Sequence, residues 1–313
     1  MTRVLRWVTI TSVTDDESLA PRKFGASPSP IRRELLSLLV CPEDHAPLEG
    51  WDGLTAEGHL LCTGCGRAYP VREGVPNLLP EALRNADEAA KNLKDVSEAA
   101  EKRREMAARD AQVVDYDRMV GLKLFTHVEV PLTLRYLSVE PEHRMLEGGC
   151  GTGRMTAAFA RVCRALLCVD FSAESIRVAR TKMTPDIVDR VLFIQADLSR
   201  LPLSTEAFDR VGSFGVYEHI PTVEARDRAL AEMSRVLKAR IQGGRMAISA
   251  YRWGAPVTWM AEREGHHDGG IYFRRFTLAE FRDLLSPYLS VGDATEALLY
   301  YHLVWGRKHP PAA

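Results

Sequence analysis

A chain of 313 residues can bury a full core and is long enough for two domains. With 46% apolar residues, 27% charged residues and a formal net charge of −1, it has no global basic field of the kind nucleic acid selects, so a nucleic-acid partner is not expected. No apolar run reaches the roughly 18 residues of a membrane span, and the opening MTRVLRWVTITSV lacks a signal-peptide core. The six cysteines, at 41, 62, 65, 150, 163 and 168, are not spaced like a secreted disulfide framework. These features point to a cytoplasmic enzyme with no membrane attachment.

Residues 1–30 end in PRKFGASPSP and read as a flexible lead-in. A compact unit follows over 31–83, opening with a helix, RRELLSLLV, and continuing through extended, turn-rich pieces. Residues 81–109 are rich in Ala, Glu, Lys and Arg, a helical composition whose charges read as a solvated face. The stretch 84–118 is taken as a helical linker and lid, and 119–313 as the main domain. From residue 110 onward, strands and helices alternate: strands at HRMLEGG, ALLCVD, VLFIQAD, FDRVGSFGV, RMAISAY and LLYYHLVWGRK, with helices between. Such alternation predicts an α/β fold with a doubly wound, mainly parallel sheet.

Residues 145–153 read MLEGGCGTG, a strand end, an acid and three alternate glycines before a helical stretch. Glycines let the chain turn sharply and let a ligand approach the main chain. A dinucleotide loop wants G-x-G-x-x-G, but here Gly149, Gly151 and Gly153 are spaced G-x-G-x-G with Glu147 ahead of them. Asp170 ends the next strand in CVDFSAESI, Asp197 the one after in IQADLSRLP, and GVYEHIP and RVLKARIQGG follow the fourth strand and its helix.

Over residues 110–307 this order and spacing resembles the class I S-adenosylmethionine-dependent methyltransferases. The resemblance implies a Rossmann-like methyltransferase sheet and S-adenosylmethionine as cofactor. It implies that Glu147 lies near the cofactor's ammonium group, and that Gly149, Cys150, Gly151 and Gly153 approach the methionine portion and the ribose. It implies further that Asp170, with Phe171 beside it, takes the ribose hydroxyls, and that Asp197, with Leu198 beside the ring, takes the adenine amino group. Tyr116, in a helix ahead of the sheet, is placed against the methionine end. Cys163 and Cys168, like Cys150, suit buried apolar positions.

In the front unit, Cys62 and Cys65 form a two-residue-spaced pair and Cys41 opens CPEDH, with Asp44 where a ribbon would carry its fourth cysteine. Together with RAYPVREGVPNLLP, the unit resembles the small zinc-ribbon family that activates tRNA and translation-factor methyltransferases. The resemblance implies a structural Zn²⁺ held by Cys41, Cys62, Cys65 and either Asp44 or His45. The alternative is a ribbon that keeps only its apolar core.

Methyl transfer from a sulfonium needs alignment and, for a hydroxyl or protonated amine, a base. His219, after the fourth strand, is the candidate, with Glu218 and Tyr217 as weaker acceptor contacts. Tyr251, Arg252, Trp253 and Tyr272 read either as an aromatic acceptor pocket or as a lid's own core, and His266 and His267 as loop residues. The expected function is methyl transfer to a small-molecule acceptor such as a secondary metabolite or sugar. The alternatives are a tRNA or protein methyltransferase and a non-methylating S-adenosylmethionine-binding enzyme.

Overall fold

A computed structural model describes residues 28–84, 97–116, 120–259, 261–267, 269–298 and 300–309, with the side chains of 114–116, 120–125 and 296–298 outside the description. Helix α1 (Pro30–Leu36) starts where Ser29 caps the Arg32 amide and Pro30 fills the first position, which needs no N–H. Strands β1 (Leu48–Glu49), β2 (Gly58–Cys62), β3 (Ala68–Arg72) and β4 (Val75–Pro76) form an antiparallel meander over Trp51, Leu60, Tyr69 and Val71. This is the zinc-ribbon-like unit.

The large sheet has seven strands: β5 (Arg144–Gly148), β6 (Ala165–Asp170), β7 (Val191–Gln195), β8 (Arg210–Ser213), β9 (Arg245–Tyr251), β12 (Leu289–Leu298) and β13 (Tyr301–Lys308). Their order is β12-β13-β9-β8-β5-β6-β7. The five strands from β9 to β7 are parallel and β13 runs antiparallel to both its neighbours. Strand β6 is buried at all six positions, as a parallel strand covered on both faces must be. The order reverses between β5 and β8, which is where open α/β sheets bind ligands.

Helices α2 (Glu81–Arg84), α3 (Glu98–Tyr116) and α4 (Val120–Leu137) precede the sheet; α5 (Thr156–Val162), α6 (Ala173–Thr181), α7 (Val223–Val236) and α8 (Leu278–Leu285) alternate with its strands. Helices α6, α7 and α8 are capped by Ser172, Thr222 and Thr277. Strand β12, unread in the sequence, is the far antiparallel edge; a short hairpin, β10 (Glu264–His266) and β11 (Tyr272–Arg274), follows β9. Among the described residues no helix is long and apolar enough to cross a membrane.

The ribbon is continuous with the large sheet rather than tethered to it. Asn77 pairs in parallel with Gln195 at the β7 edge, and the Leu78 amide donates to the Gln195 carbonyl at 2.8 Å. Val40 donates to the Pro202 carbonyl, Ser204 to that of Leu38, and Glu34 grips Arg164 through two bonds of 2.6 and 2.7 Å. One apolar cluster runs from Leu35 and Tyr69 through Leu167 and Ile194. A bare β7 edge would invite pairing with another chain, and the ribbon covers it.

Candidate active site

The turn after β5 is held by Gly149 and Cys150, whose amides both donate to the Val169 carbonyl at 2.7 and 3.0 Å. All three glycines have positive φ, at 73°, 52° and 80°. Their surroundings separate their tasks. A Cβ on Gly149 would stand 2.3 Å from a Val216 methyl, and one on Gly153 would stand 2.9 Å from the Ala179 Cβ of α6, whereas one on Gly151 meets nothing within 4 Å. Gly151 is therefore the glycine whose open side faces the cavity, and Gly153 packs against α6 instead of lining it. Helix α5 begins only at Thr156, two residues later than the composition suggested.

A cavity at the switch point is lined by Glu147, Gly149, Cys150, Gly151, Asp170, Phe171, Asp197, Leu198 and His219, so nine of the anticipated residues converge on one space. Tyr116 is the last residue of α3, and its side chain lies outside the described residues. Glu147 is buried and accepts from Thr156 Oγ1 at 2.7 Å; burial pushes its carboxyl up to about 7, so it is primed to receive a cation. Asp170 accepts from the Gly151 and Ser172 amides at 2.8 and 2.9 Å, which turns its carboxylate across the loop. Burial raises its pKa too.

Helix α3 covers this space, and here the charged segment departs from the solvated face expected of it. Lys102 and Glu105 are only 8% and 4% exposed, and with Arg109 they turn one side of the helix into the cavity wall. Lys102 Nζ donates to Asp197 Oδ2 at 2.7 Å, and Asp197 Oδ1 accepts from the Ser199 amide. Glu105 accepts from Arg109 at 3.0 Å and from the Tyr272 amide of β11 at 3.1 Å, tying the helix to the hairpin. Asp110 accepts from Ser172 Oγ at the start of α6. Residues three and seven apart share a helix face, but that spacing reads the same whether the face meets water or a ligand.

His219 sits in the turn after β8, and its Nδ1 is 2.7 Å from the Tyr272 carbonyl. That carbonyl can only accept, so Nδ1 carries the hydrogen and Nε2 keeps its lone pair. Burial and then the Arg109 charge hold its pKa well below 6.5, so the ring is neutral and Nε2 can accept a hydrogen bond. Its ring meets Tyr251 edge-on at 5.3 Å. Tyr217 instead packs among Phe276 and Phe281, away from the cavity lining. Trp253 and Arg252 likewise lie outside the lining.

In the ribbon, Cys41, Asp44, Cys62 and Cys65 bring their ligand atoms within 4.8 Å of one another, and His45 is not among them. The Cys41 and Cys65 sulfurs are 3.7 Å apart. A tetrahedron with metal–sulfur bonds of about 2.3 Å has an edge of about 3.8 Å, so this set fits Zn²⁺. The Gly64 and Cys65 amides both donate to Cys62 Sγ at 3.3 Å, the kind of outer bonding that orients thiolate ligands.

The large cavity thus offers a buried acid for a cation, a strand-end carboxylate for a diol, an open glycine, and a neutral imidazole at its far end. A family model described as a methyltransferase domain matches residues 146–248, and one described as Trm112p-like protein matches residues 32–74. Methyltransferase GfsG of Streptomyces halstedii is 36% identical over 115 residues, 36% of this chain and 39% of its own length. A UPF0434 protein of Rhodopseudomonas palustris is 42% identical over 67 residues, 21% of this chain and 94% of its own. A solved DhpI–SAH complex superposes with a TM-score of 0.50 at 20% identity, covering 67% of this chain and 97% of that one, a likeness of fold. The chain spans 39% to 53% of the length of the first methyltransferase relatives it matches.

Proposed function

The chain belongs to the S-adenosylmethionine-dependent methyltransferases, with a Trm112p-like domain ahead of the methyltransferase domain, and from that we propose that it methylates a small-molecule acceptor. The cofactor supplies a methyl group on a sulfonium. Glu147 binds its ammonium, Gly151 admits its main body, Asp170 takes the ribose hydroxyls, and Leu198 and Phe171 flank the adenine. Asp197 serves the adenine amino group in company with Lys102, which already holds one of its oxygens. His219 Nε2 accepts the acceptor's proton. The ribbon's three cysteines and Asp44 hold a structural Zn²⁺ that takes no part in the chemistry.

The observation that carries the small-molecule reading is enclosure. Helix α3 and the β10–β11 hairpin, joined through Glu105 and Tyr272, close the site over a His219 that is only 8% exposed. A folded RNA or protein surface would have to part that contact, while a small molecule fits beneath it. The Trm112p-like domain supports the other reading, methylation of tRNA or protein. The two separate when the protein is incubated with S-adenosylmethionine labelled in its methyl group and a cell extract is then fractionated. Label in the small-molecule fraction supports the proposal; label in RNA or protein overturns it; no label in any fraction points to a non-methylating enzyme.

A further inference from the structure

Lys102, Arg109 and Arg154 all line the cavity, and they differ in what they already hold. Lys102 Nζ donates to Glu98, Asp197 and Ser199 at 2.9, 2.7 and 2.5 Å, which uses all three of its hydrogens. Arg154 donates to Glu129 at 2.6 Å and to Thr126 at 3.4 Å. Arg109 donates through Nε to Glu105 Oε1 at 3.0 Å, and its terminal N–H groups meet no partner among the described residues. Its side chain is 19% exposed, and since it lines the cavity the fork opens there. Arg109 is also tied to His219. Glu105 Oε2 accepts from the Tyr272 amide at 3.1 Å and His219 Nδ1 meets the Tyr272 carbonyl at 2.7 Å, so one residue of β11 fixes both groups.

The positive charge acting on Glu147, the residue given to the cofactor's ammonium, is that of Arg154. The positive charge acting most on His219 is that of Arg109, which also acts on Asp170. Arg109 therefore stands over the stretch where cofactor and acceptor meet, away from the cofactor's amino-acid end. Arg275, buried 4.9 Å from the Tyr251 ring, adds a second positive charge at His219, and Glu105 offsets one of the two. Resting on the methyltransferase reading, we propose that Arg109 is an acceptor-binding residue, its guanidinium fork taking a carboxylate or terminal phosphate of an anionic small molecule. A planar guanidinium matches two oxygens of either group, and such charge-assisted pairs are the strong ones. An acceptor arriving as an ammonium cation would instead meet the like charge of both arginines.

The test uses the full chain, methyl-labelled S-adenosylmethionine and a small-molecule cell extract divided on an anion-exchange resin before the reaction. Label should pass to the retained, anionic fraction. Phosphatase treatment of that fraction then separates the two groups: loss of transfer assigns a phosphate and persistence a carboxylate, and both support the proposal. R109Q should need about 10- to 100-fold more of the retained fraction to reach half its maximal rate, with that rate and S-adenosylhomocysteine binding close to the wild type's. R109K, which keeps a charge beside Glu105 and loses the fork, should fall between them, and it carries the same comparison if R109Q does not fold. Label passing only to the unretained fraction, or variants needing no more acceptor than the wild type, overturns the proposal and leaves methyl transfer to a small molecule standing. A folded R109Q that has lost S-adenosylhomocysteine affinity would assign the arginine to the cofactor and overturn it too. If the wild type binds S-adenosylhomocysteine yet labels neither fraction, the reading beneath the proposal fails and takes the proposal with it.

Discussion

Burial moves two carboxyls the same way, Glu147 in the cavity wall from 4.5 to about 7 and Glu218, buried next to His219, from 4.5 to about 8. Both are held protonated in the folded protein more readily than in the unfolded chain. Their contribution to stability is therefore full below about 4.5 and is lost as pH rises through about 7 to 8. An ammonium beside Glu147 favours its ionised form, so S-adenosylmethionine affinity should rise with pH up to about 7 and then level. Calorimetry in buffers of different ionisation heat should also detect proton release on binding, and E147Q should flatten the profile. An affinity independent of pH would count against the role of Glu147. That residue was legible in the sequence because phosphate loops avoid an acid at that place. Lys102, Glu105 and Arg109 were not, since only packing shows that a charged helix face covers a site.

Within the loop, the three glycines are alike in sequence and unlike in surroundings. Gly149→Ala forces a Cβ into Val216 at 2.3 Å on top of a positive φ, which should cost about 1–3 kcal/mol of stability. Gly151→Ala meets no protein atom within 4 Å, so it should lose S-adenosylhomocysteine affinity with a smaller drop in melting temperature. Paired melting curves and titrations check this split; equal losses of both kinds in the two variants would contradict it. Strands β6 and β9 were legible to the residue, because apolar runs bounded by turns leave little choice. Strand β12 was hidden by Gly292 and by its polar half. That glycine lies under the Trp305 ring, 2.6 Å from where a Cβ would stand, a reason no local pattern carries.

At the scale of the molecule, the ribbon completes the sheet and props the lid. Its Asn77 and Leu78 extend the β7 edge, and Leu79 and Leu83 join Met106 of α3 against Phe171, the neighbour of Asp170. Purified protein should carry about one zinc per chain, and a chelator or Cys62→Ser should lower both the melting temperature and S-adenosylhomocysteine affinity. Metal analysis finding no zinc, with an unchanged melt in the variant, would make the ribbon an apolar unit only. The cysteine pair announced this unit in the sequence. That its core fuses with the sheet was not legible, because edge pairing joins residues more than a hundred positions apart. The central claim is that the glycine loop and its acids form an S-adenosylmethionine site, and calorimetric titration of S-adenosylhomocysteine into wild type and Asp170→Ala tests it most directly. Saturable binding by the wild type and none by a variant that remains folded by circular dichroism is the predicted result; equal binding by the two would contradict the account.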